Sequence, residues 1–166
     1  MKKILPVLWV LNLGACATTK NIPSTYRLKV ETNIADIKKA NNLVQTALIR
    51  DGFSLKRNDQ QMGIMESDAR AVAVRVDQAF PTKVRYRSNL ILTKSGVEII
   101  MNYECAMAAV TGGGGLLAAQ NVGYAEFGGC SVTTFGKTTN KKDIVTESIE
   151  TENNRITALV RNALQN

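Results

Sequence analysis

The chain has 166 residues, with 21 Lys or Arg, 14 Asp or Glu, no His and a formal net charge of +7. Without histidine there is no Ser-His-Asp or Cys-His catalysis, and the commonest zinc ligand is missing. The moderate basic excess favours anionic surfaces but is too small and too scattered to mark a nucleic-acid binder.

The first sixteen residues have a composition of their own. Lys2 and Lys3 precede an apolar run, Ile4 to Leu13, which closes in Leu13-Gly14-Ala15-Cys16. A run of about ten residues is too short for a bilayer helix, which needs about 20. It has the proportions of an export-signal core behind a charged start. The two lysines hold that start on the cytoplasmic side.

These residues resemble the signal peptide and lipobox of a bacterial lipoprotein. The resemblance implies cleavage between Ala15 and Cys16, diacylglycerol on the Cys16 thiol, and a further acyl chain, such as palmitate, on its new amino group. Two or more chains, at about 0.8 kcal/mol per buried CH₂, anchor a protein stably. Ala17 in place of an aspartate implies sorting to the outer membrane, where a periplasm-facing domain is expected. On this reading residues 1–15 are a cleaved leader, 16–24 a flexible tether broken by Pro23, and 25–166 one domain. About nine tether residues reach at most about 30 Å, which keeps the domain close to its membrane.

Downstream, Tyr26, Leu28 and Val30 alternate with Arg27, Lys29 and Glu31, the pattern of a half-buried strand. Asn33 is placed to cap a helix whose apolar face is Ile37, Ala40, Val44, Ala47 and Leu48. Gly52 sits where a C′ glycine ends such a helix. Strands are expected over Phe53–Arg57, Met62–Ser67 and Ala71–Asp77, with Asn58–Gln61 turning between the first two. Val84–Thr93 and Val97–Met107 flank Lys94-Ser95-Gly96, a hairpin turn. Either Ile99 and Met101 or Ile100 and Asn102 face inward, and the pattern leaves that open.

Ala108–Gly129 has no basic residue and contains four consecutive glycines, Gly112–Gly115, which cannot sit inside a stable helix at about 1 kcal/mol each. It reads as a loop, followed or interrupted by Val122–Phe127 and Cys130–Phe135 as a second hairpin or irregular strands. The closing segment, Lys142–Leu164, carries Val145, Ile149, Ile156, Leu159, Val160 and Ala163 as one helical stripe. The expected fold is α+β, an antiparallel sheet of about five to seven strands with two amphipathic helices packed on one face.

With Cys16 lipidated in an oxidising envelope, Cys105 and Cys130 are most simply a disulfide, with two buried thiols as the alternative. The stretch Ala47–Met65 (ALIRDGFSLKRNDQQMGIM) resembles helix-then-hairpin segments in accessory lipoproteins of outer-membrane β-barrel assembly. That resemblance covers the stretch alone and bears on fold.

Reactive motifs are absent or incomplete. Gly136-Lys137-Thr138 has the ending of a phosphate-binding loop, but Ser131 stands where its first glycine belongs. Asp36, Asp51, Asp59, Glu66, Asp68 and Glu104 are acids of the kind a glycosidase pairs, though any chain of this size has such a set. No metal set and no cofactor is expected, nor an enzyme. Lys83, Arg85 and Arg87 share one face of a strand, with Arg75 on a neighbour. Such a row can grip phosphate or carboxylate. The functional expectation is a lipid-anchored, non-catalytic binding or structural module. Its partner would be an envelope protein or an anionic lipid or glycan, and not nucleic acid. The alternative is an inhibitor or immunity lipoprotein that uses Ala108–Gly129 to block an envelope-attacking enzyme.

Overall fold

A computed structural model describes residues 17–72, 82–110, 122–124, 127–135 and 144–165. Cys16, the leader, Arg75, Gly112–Gly115 and Gly136-Lys137-Thr138 lie outside them.

In chain order the elements are β1 (Ala17–Asn21), β2 (Thr25–Glu31), α1 (Ile37–Arg50), β3 (Leu55–Asp59), β4 (Ile64–Ser67), β5 (Arg70–Val72), β6 (Thr82–Thr93), β7 (Gly96–Val110), β8 (Val122–Tyr124), β9 (Ser131–Phe135) and α2 (Ile144–Gln165). Seven strands form one antiparallel sheet in the order β2-β7-β6-β4-β3, with β5 also on β6 and β8 also on β7. Both helices lie on one face of it. The architecture is α+β.

The long β6–β7 hairpin is the frame. Its turn pairs Thr93 with Gly96. Gly96 has φ +138°, and a Cβ there would stand 2.1 Å from the Val30 carbonyl oxygen. Only glycine lets β2 approach this closely. The register resolves the ambiguity of the sequence: Val97, Ile99, Met101 and Tyr103 are buried, as are Val84, Tyr86, Leu90 and Leu92 opposite. Val30 on β2 and Met65 on β4 complete this inner face.

The helices cover it. Ala40, Val44 and Leu48 of α1 and Val145, Ile149, Ile156 and Val160 of α2 are the buried stripes. Burying one such aliphatic side chain is worth about 1.5–3 kcal/mol. Ser67 and Ser88 are also fully buried, and they satisfy one another: the Ser67 hydroxyl oxygen accepts from Ser88 N–H at 2.9 Å and from the Ser88 hydroxyl at 3.0 Å.

Two local expectations are corrected. The cap of α1 is Asp36, whose carboxylate accepts from Lys39 N–H at 3.0 Å, not Asn33. The backbone before it is held extended, because the Thr32 and Ile34 N–H groups bond the Ser95 and Lys94 carbonyls. Residues 17–21 are not a free tether. They form β1, paired antiparallel with β9 from Ala17↔Phe135 to Asn21↔Ser131. Ile22, next to it, is 6% exposed and donates its N–H to the Cys130 carbonyl at 2.9 Å. The strand was unreadable because Ala-Thr-Thr-Lys-Asn carries no apolar alternation of its own. Of the two readings of the segment after the glycine run, separate strands is the one observed: β8 extends the end of β7, while β9 pairs with β1.

Gly52 does end α1, at φ +84°, with Phe53 N–H bonded to the Leu48 carbonyl. Of the strand expected over Ala71–Asp77, the described part is β5.

Candidate functional site

The face of the sheet opposite the helices is built from the other half of each strand's alternation. Two-residue periodicity sends Lys83, Arg85, Arg87, Asn89 and Ile91 of β6 outward, since Val84, Tyr86, Ser88, Leu90 and Leu92 are buried. Cross-strand pairing then sets Arg85 against Glu104, Arg87 against Asn102, and Lys29 against Glu98.

Opposite charges meet across this face. The Arg85 Nε–H donates to Glu104 at 2.6 Å, and Arg27 donates to Glu98 at 2.7 Å. Lys83, Arg85 and Arg87 thus lie on the outer face of β6, and Glu104 balances the middle one. Lys83 and Arg87 are exposed. Arg75 lies outside the described residues, so the structure does not join it to this row.

Phe127 is part of the same surface. The Arg85 guanidinium sits 3.8 Å from the centre of the Phe127 ring, a cation–π stack. Phe127 is 37% exposed, and it is the only aromatic among the large exposed apolar side chains of the described residues. Gly128 fixes it there: its N–H and carbonyl exchange hydrogen bonds with Cys105 at 3.0 and 2.9 Å. The Cys105–Cys130 disulfide closes the arrangement, with Cα atoms 4.9 Å apart. Neither the Phe127 stack nor the Glu104 pair was expected from sequence. The second was within reach, since a turn that pairs Thr93 with Gly96 necessarily pairs Arg85 with Glu104.

A second polar cluster lies under the helices. Glu152 of α2 accepts from Arg155 at 2.7 and 2.9 Å and from the Tyr86 hydroxyl at 2.6 Å. Arg155 also bonds Asp51, just past α1, and Arg70 bonds the same carboxylate at 3.2 Å. The Tyr103 hydroxyl donates to Asn153 at 2.8 Å. Burial would raise the Glu152 carboxyl, but the hydrogen bonds from Arg155 and Tyr86 outweigh it and hold the group below its ordinary range. Burial pushes both tyrosines well above their ordinary value, and the hydrogen bond to Glu152 adds to this for Tyr86. The hydrogen bond to Glu152 raises Arg155, against burial. Every charge here has a partner. The cluster clamps α1 and α2 to the sheet.

The acids named from the sequence are spent in the same way. Asp36 caps α1, and Asp51 holds Arg70 and Arg155. Asp59 accepts from Gln61 and Met62 N–H groups, while Asp68 accepts from Ser54. Glu66 meets Lys56, and Glu104 meets Arg85. Among the described residues, no three of His, Cys, Asp and Glu converge as metal ligands, and no helix is long and apolar enough to cross a membrane. A groove of about 560 Å³ lies between α1 and α2, lined by Leu43, Ala47, Arg50, Leu159, Asn162 and Ala163.

The fold is similar to that of a TBP-like protein from Parabacteroides distasonis ATCC 8503, whose crystal structure matches with a TM-score of 0.55. Sequence identity is 13%, over 86% of this chain and 92% of that one, so the likeness is one of fold. No protein-family model matches the chain, and no curated protein matches it.

Proposed function

We propose that the protein is a lipid-anchored binding module of the bacterial envelope, held at the outer membrane through Cys16 and facing the periplasm. The observation that carries the binding role is the sheet face away from the helices, whose described part presents charged side chains and Phe127 to solvent. A face of this kind suits a protein surface or an anionic envelope component, which it would hold without transforming it. The leader motif supports the anchor.

The pairing of β1 with β9 changes what the anchor would do. Cys16 directly precedes β1. The acyl chains would pull on a strand built into the body instead of on a slack linker, so the body would meet its membrane in a restricted set of orientations.

Labelling cells with an alkyne palmitate tests the anchor: label on the wild type and none on Cys16→Ser is the expected result. Photo-crosslinking from position 89, two residues along the same face of β6, in intact cells tests the binding role. A discrete crosslinked species lost on Arg87→Glu supports it. A wild-type chain that is unlabelled and soluble refutes the anchor, and an uncrosslinked chain refutes this face as the binding surface.

A further inference from the structure

We infer that the groove between α1 and α2 docks an amphipathic helix of a partner protein, one whose apolar stripe is flanked by Asp or Glu. This surface lies on the helical side of the sheet, apart from the face proposed above as a binding surface.

The groove is a stripe on α1 set against a stripe on α2. Leu43, Thr46, Ala47 and Arg50 recur at the three- and four-residue spacing of one helical face, and Leu159 and Ala163 do so opposite them. A second hollow, of about 340 Å³, continues past Leu43 and Thr46 to Lys39 and Lys38 at the start of α1. Leu43 is 36% exposed, a large apolar side chain that the helix pair leaves uncovered. Lys39, Leu43, Thr46 and Arg50 thus follow one line along α1, with a cation at each end. About 16 Å of helix, or about three turns, separates the two cations.

Charge selects the occupant. Helix α1 carries Lys38, Lys39 and Arg50 and no acid. Among the described residues, none of these three side chains has an ion pair or a hydrogen bond. The two acids that border the groove are engaged elsewhere: Asp36 accepts from the Lys39 backbone N–H, and Asp51 bonds Arg70 and Arg155. Lys38 and Lys39 stand in the first turn, where the helix dipole disfavours cations, so α1 itself gains nothing from their charge. A second copy of this chain is a poor occupant. Antiparallel pairing of α1 with itself sets Lys39 against Arg50, and parallel pairing sets each against its own copy. A bilayer is flat where the groove is concave, whereas the ridge of a helix fits between two others. A helix laid in the groove with acids over Lys39 and Arg50 satisfies both the lining and the charge.

The test places a diazirine amino acid at position 46 of the full chain in intact cells. Thr46 is exposed and borders both hollows. Mass spectrometry of the adduct identifies the captured segment. The expected product is a partner segment of about three turns, with apolar residues at helical spacing and acids on its flanks. Lys39→Glu with Arg50→Glu should cut the yield about tenfold or more, since like charges then meet, and Lys39→Gln with Arg50→Gln should cut it less. A synthetic peptide of the captured segment should bind the purified chain in the same order, wild type first and the Glu pair last, by fluorescence anisotropy.

An adduct with lipid or with a second copy of this chain, a segment without flanking acids, or a yield indifferent to the charge reversal overturns the inference. So does the absence of any adduct. Crosslinking from position 89 and palmitate labelling report the sheet face and the anchor separately, so the groove can fail while they stand. All three substituted positions are exposed, and an unchanged circular dichroism spectrum verifies folding.

Discussion

Replacing both Cys105 and Cys130 with alanine should destabilise the protein by about 3.5 kcal/mol. The figure follows from the sequence separation of 25 between the two cysteines, through the entropy of closing a loop of that size in the unfolded chain. Both residues are buried, at 5% and 3% exposure, so lost packing adds to the effect. In a domain of this length each kcal/mol moves the melting point by about 2–4 °C, and a drop of about 10 °C is expected. Urea denaturation followed by far-ultraviolet circular dichroism measures the free energy directly. Limited trypsin digestion measures where it acts. The disulfide joins β7 to the segment leading into β9, and β9 holds β1, so the loss should open β1 before the helices. Cleavage after Lys20 should accelerate about tenfold or more, under conditions where α2 stays intact. A double variant within about 1 kcal/mol of the wild type would refute the loop-closure argument. Unchanged cleavage at Lys20 would refute the claim that this bond secures the N-terminal strand.

Gly96→Ala should destabilise by about 3 kcal/mol or more, because the new methyl meets the Val30 carbonyl and the backbone is in a region alanine avoids; thermal melts check it, and a neutral result would place β2 elsewhere. Arg155→Met leaves Asp51 and Glu152 without their shared donor. Breaking a fully buried pair costs about 3–5 kcal/mol, and with Arg155 and Asp51 about a third exposed the expected loss is about 2 kcal/mol by urea titration. Arg155→Lys should recover little, since one ammonium cannot bridge both carboxylates as the guanidinium does. On the acid side, Glu152 contributes stability that is complete above its ordinary value of 4.5 and lost as pH falls through its lower folded value; Glu152→Gln should flatten that limb of the pH–stability curve. On the alkaline side, Tyr86 and Tyr103 contribute stability that is complete below their ordinary value of 10.0 and lost as pH rises above it. Tyrosinate absorbance at alkaline pH should therefore include a component that appears together with loss of the helical signal.

Much of the fold follows from periodicity alone. Tyr26, Leu28 and Val30 alternate, Val145 to Val160 recur at helical spacing, and Gly52 and Gly96 stand where the chain must turn. Each of these is set within a few residues of itself. What escaped detection depends on residues far apart. Asp36 displaced Asn33 as the cap because the turn at Lys94-Ser95 holds residues 32–34 extended. Strand β1 escaped because its partner lies more than a hundred residues away and its own sequence has no apolar alternation. The ion cluster around Glu152 gathers residues from a helix end, two strands and the second helix, and no local pattern encodes that meeting. The basic ladder on β6 was legible as a direction, while its neutralisation by Glu104 required the hairpin register.

The pairing of Ala17–Asn21 with Ser131–Phe135 has a consequence for biogenesis. On the export route proposed above, a polypeptide threaded through a translocon from its amino end would deliver this strand first and its mate only after most of the remainder had crossed. During that interval the leading strand waits with its edge open. Its composition, Ala-Thr-Thr-Lys-Asn, is short, hydrophilic and charged, which discourages stray association. Final maturation would then coincide with late emergence of the distal mate, so carboxy-terminal truncation should yield a product still able to acquire lipid but unable to seat its own first strand.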